Sequence, residues 1–112
     1  MKIIEAKISR SQLKEVAGNF DNIVKAVVDV EKGIMAVGGE LHADEETFLL
    51  EKDSQQRNLW GINLYPELQG DEFIEFDSVI NLRPSQGNRT RGVDDAHIRQ
   101  KIKEIVNSLI LS

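Results

Sequence analysis

The side chains with which this sequence can do chemistry fall into three groups. The densest is the stretch Arg83-Pro-Ser-Gln-Gly-Asn-Arg-Thr-Arg-Gly92, where Arg83, Arg89 and Arg91 stand within nine residues with no acid among them. Guanidinium groups grip phosphate or carboxylate through paired hydrogen bonds. Ser85, Asn88 and backbone N–H groups add neutral donors, so the stretch has the composition of an anion-binding loop ahead of a helix. It is not a Walker loop, because no Gly-Lys-Ser/Thr follows, and Asp94 with Asp95 would repel an anion set directly on the helix end. Any anion there has to be held by the arginines. The competing account is a structural loop whose arginines pair with Glu75, Asp77 or the acids of residues 40–53.

The second group follows from strand alternation. In a strand over Glu72–Arg83, Ile74, Phe76, Ile80 and Leu82 fall on one side and Glu75, Asp77, Val79, Asn81 and Arg83 on the other. A strand over Leu59–Tyr65 buries Trp60, Ile62 and Leu64, which leaves Gly61, Asn63 and Tyr65 facing the polar row, and Lys25 and Asp29 repeat the arrangement one strand further on. Neighbouring carboxylates drive each other's pKa apart and a nearby cation holds an anionic group. Glu75, Asp77 and Tyr65 are therefore acid–base candidates, with Asn63 and Asn81 as ligand contacts. A solvated sheet face accounts for most of this row, but not for two Asn in mid-strand, a position Asn disfavours.

The third group is Glu40, His42 and Asp44, which alternate after Gly38-Gly39. In an extended segment all three point one way, so His42 is a candidate general base, or a divalent-metal ligand alongside the carboxylates. The plain alternative makes His42 a surface residue and Asp44 a helix cap. His97 falls on the polar side of the last helix, away from these groups, and no serine sits in a nucleophile-elbow context.

Composition narrows the classes. The chain has 112 residues, enough for one domain that buries roughly two-thirds of its unfolded surface without staples. It has no cysteine, which excludes disulfides, thiolate metal sites and a thiol nucleophile. A net charge of −5 argues against duplex DNA and against an anionic membrane surface as partners. Residues 40–53 carry six acids against Lys52, so the surplus of acid lies in that one segment. The N-terminus lacks the apolar run of a signal peptide, and no window approaches a membrane span, so the expected location is cytoplasmic. Nothing specifies a cofactor or the identity of a metal.

The elements that must position these groups read as follows. Met1–Ala6 is a strand. Ser9 with Gln12 forms a capping-box pattern that opens a helix over Arg10–Ala17, stopped by Gly18. The valine-rich run Asn22–Glu31 turns at Lys32-Gly33 into Ile34–Val37, a hairpin. Residues 43–52 form a short helix with Ala43, Thr47 and Leu50 on its apolar side. The strands Leu59–Tyr65 and Glu72–Arg83 follow. The spacing of Ile98, Ile102, Ile105 and Leu109 then predicts an amphipathic helix over 95–110, with Asp94 and Asp95 at its start. The order β-α-β-β-α-β-β-α predicts a single α+β domain over 1–112, with a mainly antiparallel sheet of about five strands, three helices on one face, and the other face open.

The stretches Lys25–Asp44 (KAVVDVEKGIMAVGGELHAD), Leu59–Glu67 (LWGINLYPE) and Phe76–Gly92 (FDSVINLRPSQGNRTRG) resemble a family of small prokaryotic proteins catalogued as a domain of unknown function. The resemblance covers most of the chain. It implies a stand-alone cytoplasmic domain and carries no activity, cofactor or catalytic residue with it.

Three functions are thus expected in order. The first is binding of a small anionic ligand or an RNA phosphate through Arg83, Arg89 and Arg91 with Ser85, Asn88, Asn63 and Asn81. The second is a small hydrolase using Glu75, Asp77, His42 and Tyr65, with or without a divalent metal. The third is a homodimer in which the acidic segment 40–53 meets the basic loop 83–91.

Overall fold

A computed structural model of the chain describes residues 1–18 and 22–111. The strands are β1 (Lys2–Ile4), β2 (Val24–Asp29), β3 (Ile34–Val37), β4 (Leu59–Leu64) and β5 (Ile74–Glu75), and the helices are α1 (Arg10–Val16), α2 (His42–Leu50) and α3 (Ala96–Leu109). All strand pairs are antiparallel, in the order β1-β3-β2-β4-β5. The α+β class and the element order are as expected from the sequence.

Local signals act where they were read. Ser9 Oγ accepts from Gln12 N and the Gln12 side chain accepts from Ser9 N, which closes the capping box of α1. The β2–β3 turn places Gly33 at φ 69°, a conformation that costs glycine nothing. Asp29 holds that turn from within: its Oδ1 accepts from Glu31 N and Lys32 N, each at 2.9 Å, while Oδ2 accepts from Ser54 Oγ at 2.7 Å. Asp29 does lie on the outer sheet face, as alternation requires, but its carboxylate is spent on structure. Asp95 caps α3 by accepting from His97 N and Ile98 N.

Two expectations are corrected. The helices do not share one face. The β1-α1-β2 and β3-α2-β4 connections each step over one strand in the same direction across the sheet, yet they leave from strands that run opposite ways. A common hand for both crossovers therefore places α1 and α2 on opposite faces. The larger core unites α1 and α3 with Val24, Ala26, Val28, Met35, Val37, Trp60, Ile62 and Leu64. A second core joins Leu49 of α2 to Val27, Ala36 and Leu59 on the other face. The outer face is thus largely covered, and every residue of β4 is buried. Helix α2 packs on this face against the turn at Val79–Asn81.

The second correction concerns α2 itself. Its buried positions are Glu45 and Leu49, whereas Ala43, Thr47 and Leu50 are exposed. The sheet-facing stripe includes a carboxyl group, which an apolar-face reading of the sequence cannot find.

Candidate functional site

The expected strand Glu72–Arg83 ends at Glu75. Beyond it the chain leaves the sheet edge and folds across the outer face of β4 as a one-turn helix at Val79–Asn81. Gly61 makes this possible. A Cβ there would lie 2.5 Å from Ser78 Cβ, 2.6 Å from Ser78 Oγ and 3.1 Å from Ile80 Cγ1, so only a glycine lets the segment sit so close.

Polar side chains replace the missing strand. Asn81 Oδ1 accepts from Gly61 N and its Nδ2 donates to Gly61 O, both at 2.9 Å, so one carboxamide satisfies the β4 peptide as a neighbouring strand would. Arg83 continues the repair: Nη1 donates to Gln56 O and Nη2 to Leu59 O, each at 2.6 Å, with the guanidinium 4.1 Å above the Trp60 ring. Asn88 Nδ2 donates to the carbonyls of Asn81, Thr90 and Gly92, and its Oδ1 accepts from Asp94 N. Asp94 in turn accepts from Thr90 Oγ1 at 2.6 Å and Arg89 N at 2.7 Å. Asn81, Arg83 and Asn88 are all buried and bonded to the backbone.

The three arginines therefore do not converge. Arg83 is stacked into the sheet edge. Ser85 and Arg89 are exposed on the loop, and neither lines the cleft described next. Arg91 turns the other way and donates from Nε to Asp77 Oδ1 at 2.6 Å.

That pair borders a cleft of about 300 Å³ between the first turn of α2, the segment 77–80, and a floor formed by Lys25 and Asn63. His42 reaches down from α2 and its Nε2 lies 2.8 Å from Ile62 O, a contact only an N–H can make. Burial holds the His42 pKa below its ordinary 6.5, against the bond to Ile62, and the charges of Lys25, Asp77 and Arg91 all act on it. His42 is therefore neutral at pH 7 with its proton on Nε2, and Nδ1 makes no hydrogen bond among the described residues. The cap residue of α2 is Leu41, whose carbonyl accepts from Asp44 N and Glu45 N but whose side chain offers no acceptor, so the N–H groups of His42 and Ala43 lack acceptors among the described residues.

Beside the cleft runs a hydrogen-bonded row. Tyr65 OH donates to Glu75 Oε1 at 2.8 Å, and Asn63 Nδ2 donates to the same oxygen at 2.9 Å and to Asp77 O at 3.2 Å. Its bond to the Glu75 carboxylate raises the Tyr65 pKa. Asn63 Oδ1 is buried without a partner among the described residues.

The acid–base candidates His42, Asp77, Glu75 and Tyr65, with Asn63, are thus gathered into one region. Lys25 belongs with them. Missing from the sequence reading is Leu41, 56% exposed on the cleft wall; Val79, 62% exposed beside it, falls on the outer row by alternation. The sequence carries no signal for the exposure of Leu41, which sits where periodicity allows either side. Among the described residues, no group of three His, Asp or Glu side chains gathers closely enough to hold a metal ion. No helix is long and apolar enough to cross a membrane among those residues. A larger groove of about 470 Å³ beside α1 and α3 is lined by Arg10, Phe73 and Lys103. Arg10 is already bonded to the carbonyls of Pro66 and Leu68 and stacked on Phe73, so that groove offers less free chemistry.

No match to the chain was found among curated proteins or solved structures. The model of one family, described as a protein of unknown function (DUF5674), matches residues 2–109. With that match spanning nearly its whole length, the chain belongs to the DUF5674 family.

Proposed function

We propose that the protein is a small-ligand-binding domain that takes an anionic group in the cleft between α2 and the segment 77–80. The observation that carries this reading is the charge of the lining. Lys25 and Arg91 stand there against Asp77 alone, in a chain whose net charge is −5. The unpaired first-turn N–H groups of α2 add to the same preference. The opening suits a small anion and not an RNA backbone, which needs a broad basic surface.

Calorimetric titration at low salt against inorganic phosphate, simple carboxylates and mononucleotides tests it. Arg91→Ala is expected to weaken binding by about 10- to 100-fold, the loss of one charge-assisted contact. Arg89→Ala leaves it unchanged. Binding that depends on Arg89 and not on Arg91 would move the site to the loop, and no binding of any anion would end the proposal.

A second reading makes the cleft hydrolytic, and the fixed tautomer of His42 favours it: a neutral imidazole with Nδ1 unbonded is a general base ready to take a proton from water. Tyr65 and Glu75 are engaged with each other, as are Asp77 and Arg91, so they orient rather than transfer protons. Product formation during the same titrations, lost in His42→Ala and rising with pH through a midpoint below 6.5, is the expected signature. Complete recovery of every ligand removes this reading.

A further inference from the structure

We propose that the cleft recognises an N-acylated α-amino acid with an apolar side chain, the chemistry shared by free N-acyl amino acids and peptide carboxyl termini; this deepens the anion-binding reading and rests on it. Three features of the lining converge on that class.

The first is the need for a donor next to the anion. Asn63 is 8% exposed, and its orientation is fixed because Nδ2 donates to Glu75 and to Asp77 O. Its Oδ1 is consequently an acceptor with no partner among the described residues. An unpaired buried acceptor is costly, and a ligand N–H or O–H relieves that cost. Nδ1 of His42 is a second acceptor, since the ring proton is committed to Ile62 O. An anion that carries only acceptors, such as sulfate or fully ionised phosphate, meets two lone pairs here. A carboxylate with an amide N–H on its α-carbon presents the anion and the donor together.

The second feature is the single surplus positive charge. Two cations against Asp77 match a monoanion better than a phosphate dianion. The third is the aliphatic wall. Leu41, Val79 and Ile80 line the cleft, and among its described lining residues there is no Phe, Tyr or Trp ring on which a sugar or a base could stack. An isobutyl-sized side chain fits that wall and the volume of about 300 Å³.

Lys25 and Asn63 line the cleft together. The two residues face each other across β2 and β4, and the Lys25 ammonium is held by one bond, to Glu40 O at 3.1 Å. Oδ1 has almost no exposed surface, so a ligand N–H reaches it only when a neighbouring side chain moves, and that of Lys25, opposite it and lining the same cleft, is the flexible one. Swinging the flexible Lys25 side chain toward the incoming carboxylate uncovers the acceptor and adds a cation to the anion in the same movement.

The test is a ligand series on the unaltered protein at low salt. N-acetyl-L-leucine is expected to bind about tenfold tighter than its N-methylated analogue, which keeps the carboxylate and side chain but lacks the N–H. N-acetyl-leucinamide, lacking the carboxylate, is expected not to bind. Asn63→Ala, if folded, should abolish the difference between the first two compounds. Acetyl-Ala-Ala-Leu separates the sources: affinity at least equal to that of N-acetyl-leucine marks a peptide carboxyl terminus, and exclusion marks a free N-acyl amino acid. Equal affinity for the N-methyl analogue, or phosphate binding without N-acetyl-leucine binding, overturns this inference and leaves the anion reading standing. Silence from every anion, phosphate included, overturns both.

Discussion

Gly61→Ala is expected to destabilise the protein by about 3–5 kcal/mol, the range for overpacking combined with broken buried hydrogen bonds. The new methyl group would stand 2.5 Å from Ser78 Cβ, a separation that real Cβ atoms do not show. Ser78 is 1% exposed and cannot swing aside, so the segment 78–81 has to lift off the sheet. Lifting it pulls Asn81 from the N–H and C=O of Gly61 and leaves a buried peptide unpaired on the edge of β4. The cleft loses its wall at Val79 and Ile80 in the same event, so ligand binding falls with stability. Urea denaturation measures the first effect. Adding Ser78→Gly removes the two closest atoms, leaving only the tight contact with Ile80 Cγ1, and should recover a large part of the loss, although it also removes the Ser78 hydroxyl that accepts from Ile80 N. An unfolding midpoint for Gly61→Ala equal to that of the parent would refute the close-packed arrangement.

The same segment shows where the sequence is legible and where it is not. Helix α3 could be read from Ile98, Ile102, Ile105 and Leu109 because the signal lies in one local period. The capping box at Ser9 and the Gly33 turn are equally local. Residues 72–83 alternate as a strand does, with Ile74, Phe76, Ile80 and Leu82 in phase. What ends the strand at Glu75 is tertiary: Asn81 and Arg83 bond to the backbone of residues 56–61, and no local pattern announces a side chain standing in for a strand. The unusual Asn at position 81, noticed as out of place in a strand, was the trace of this role. The carboxylate–His–Tyr grouping was visible because alternation put Asn63 and Tyr65 beside Glu75, and the register confirms Asn63 opposite Glu75. The arginine loop misled for the converse reason. Its composition is that of an anion site, yet two of its most polar members, Arg83 and Asn88, are consumed by the chain's own carbonyls.

Glu45 sets the second large effect, a loss of stability with rising pH. Its side chain is fully buried beneath Gly39, Oε2 accepts from Gly39 N at 3.1 Å, and Oε1 has no partner among the described residues. Burial pushes its pKa up from the ordinary 4.5 to about 9, against the bond from Gly39. Between those values the folded chain keeps a proton that the unfolded chain releases. The stabilisation is therefore complete below the unfolded pKa and drains away as pH rises toward the folded one. Each pH unit in that interval costs about 1.4 kcal/mol, so moving from about pH 5 to about pH 7.5 costs roughly 3 kcal/mol. Asp94 acts in the opposite sense. Its bonds from Thr90 Oγ1 and Arg89 N hold its pKa below 3.8, and the stability it contributes is lost as pH falls through that lower value. Stability should thus peak in the mildly acidic range. Glu45→Gln retains a carbonyl to accept from Gly39 N and cannot ionise. It should match the parent near pH 5 and exceed it by about 3 kcal/mol near pH 7.5, with a flatter profile between. Parallel profiles for the two proteins across that interval, read from urea midpoints, would show that Glu45 is already ionised in the fold.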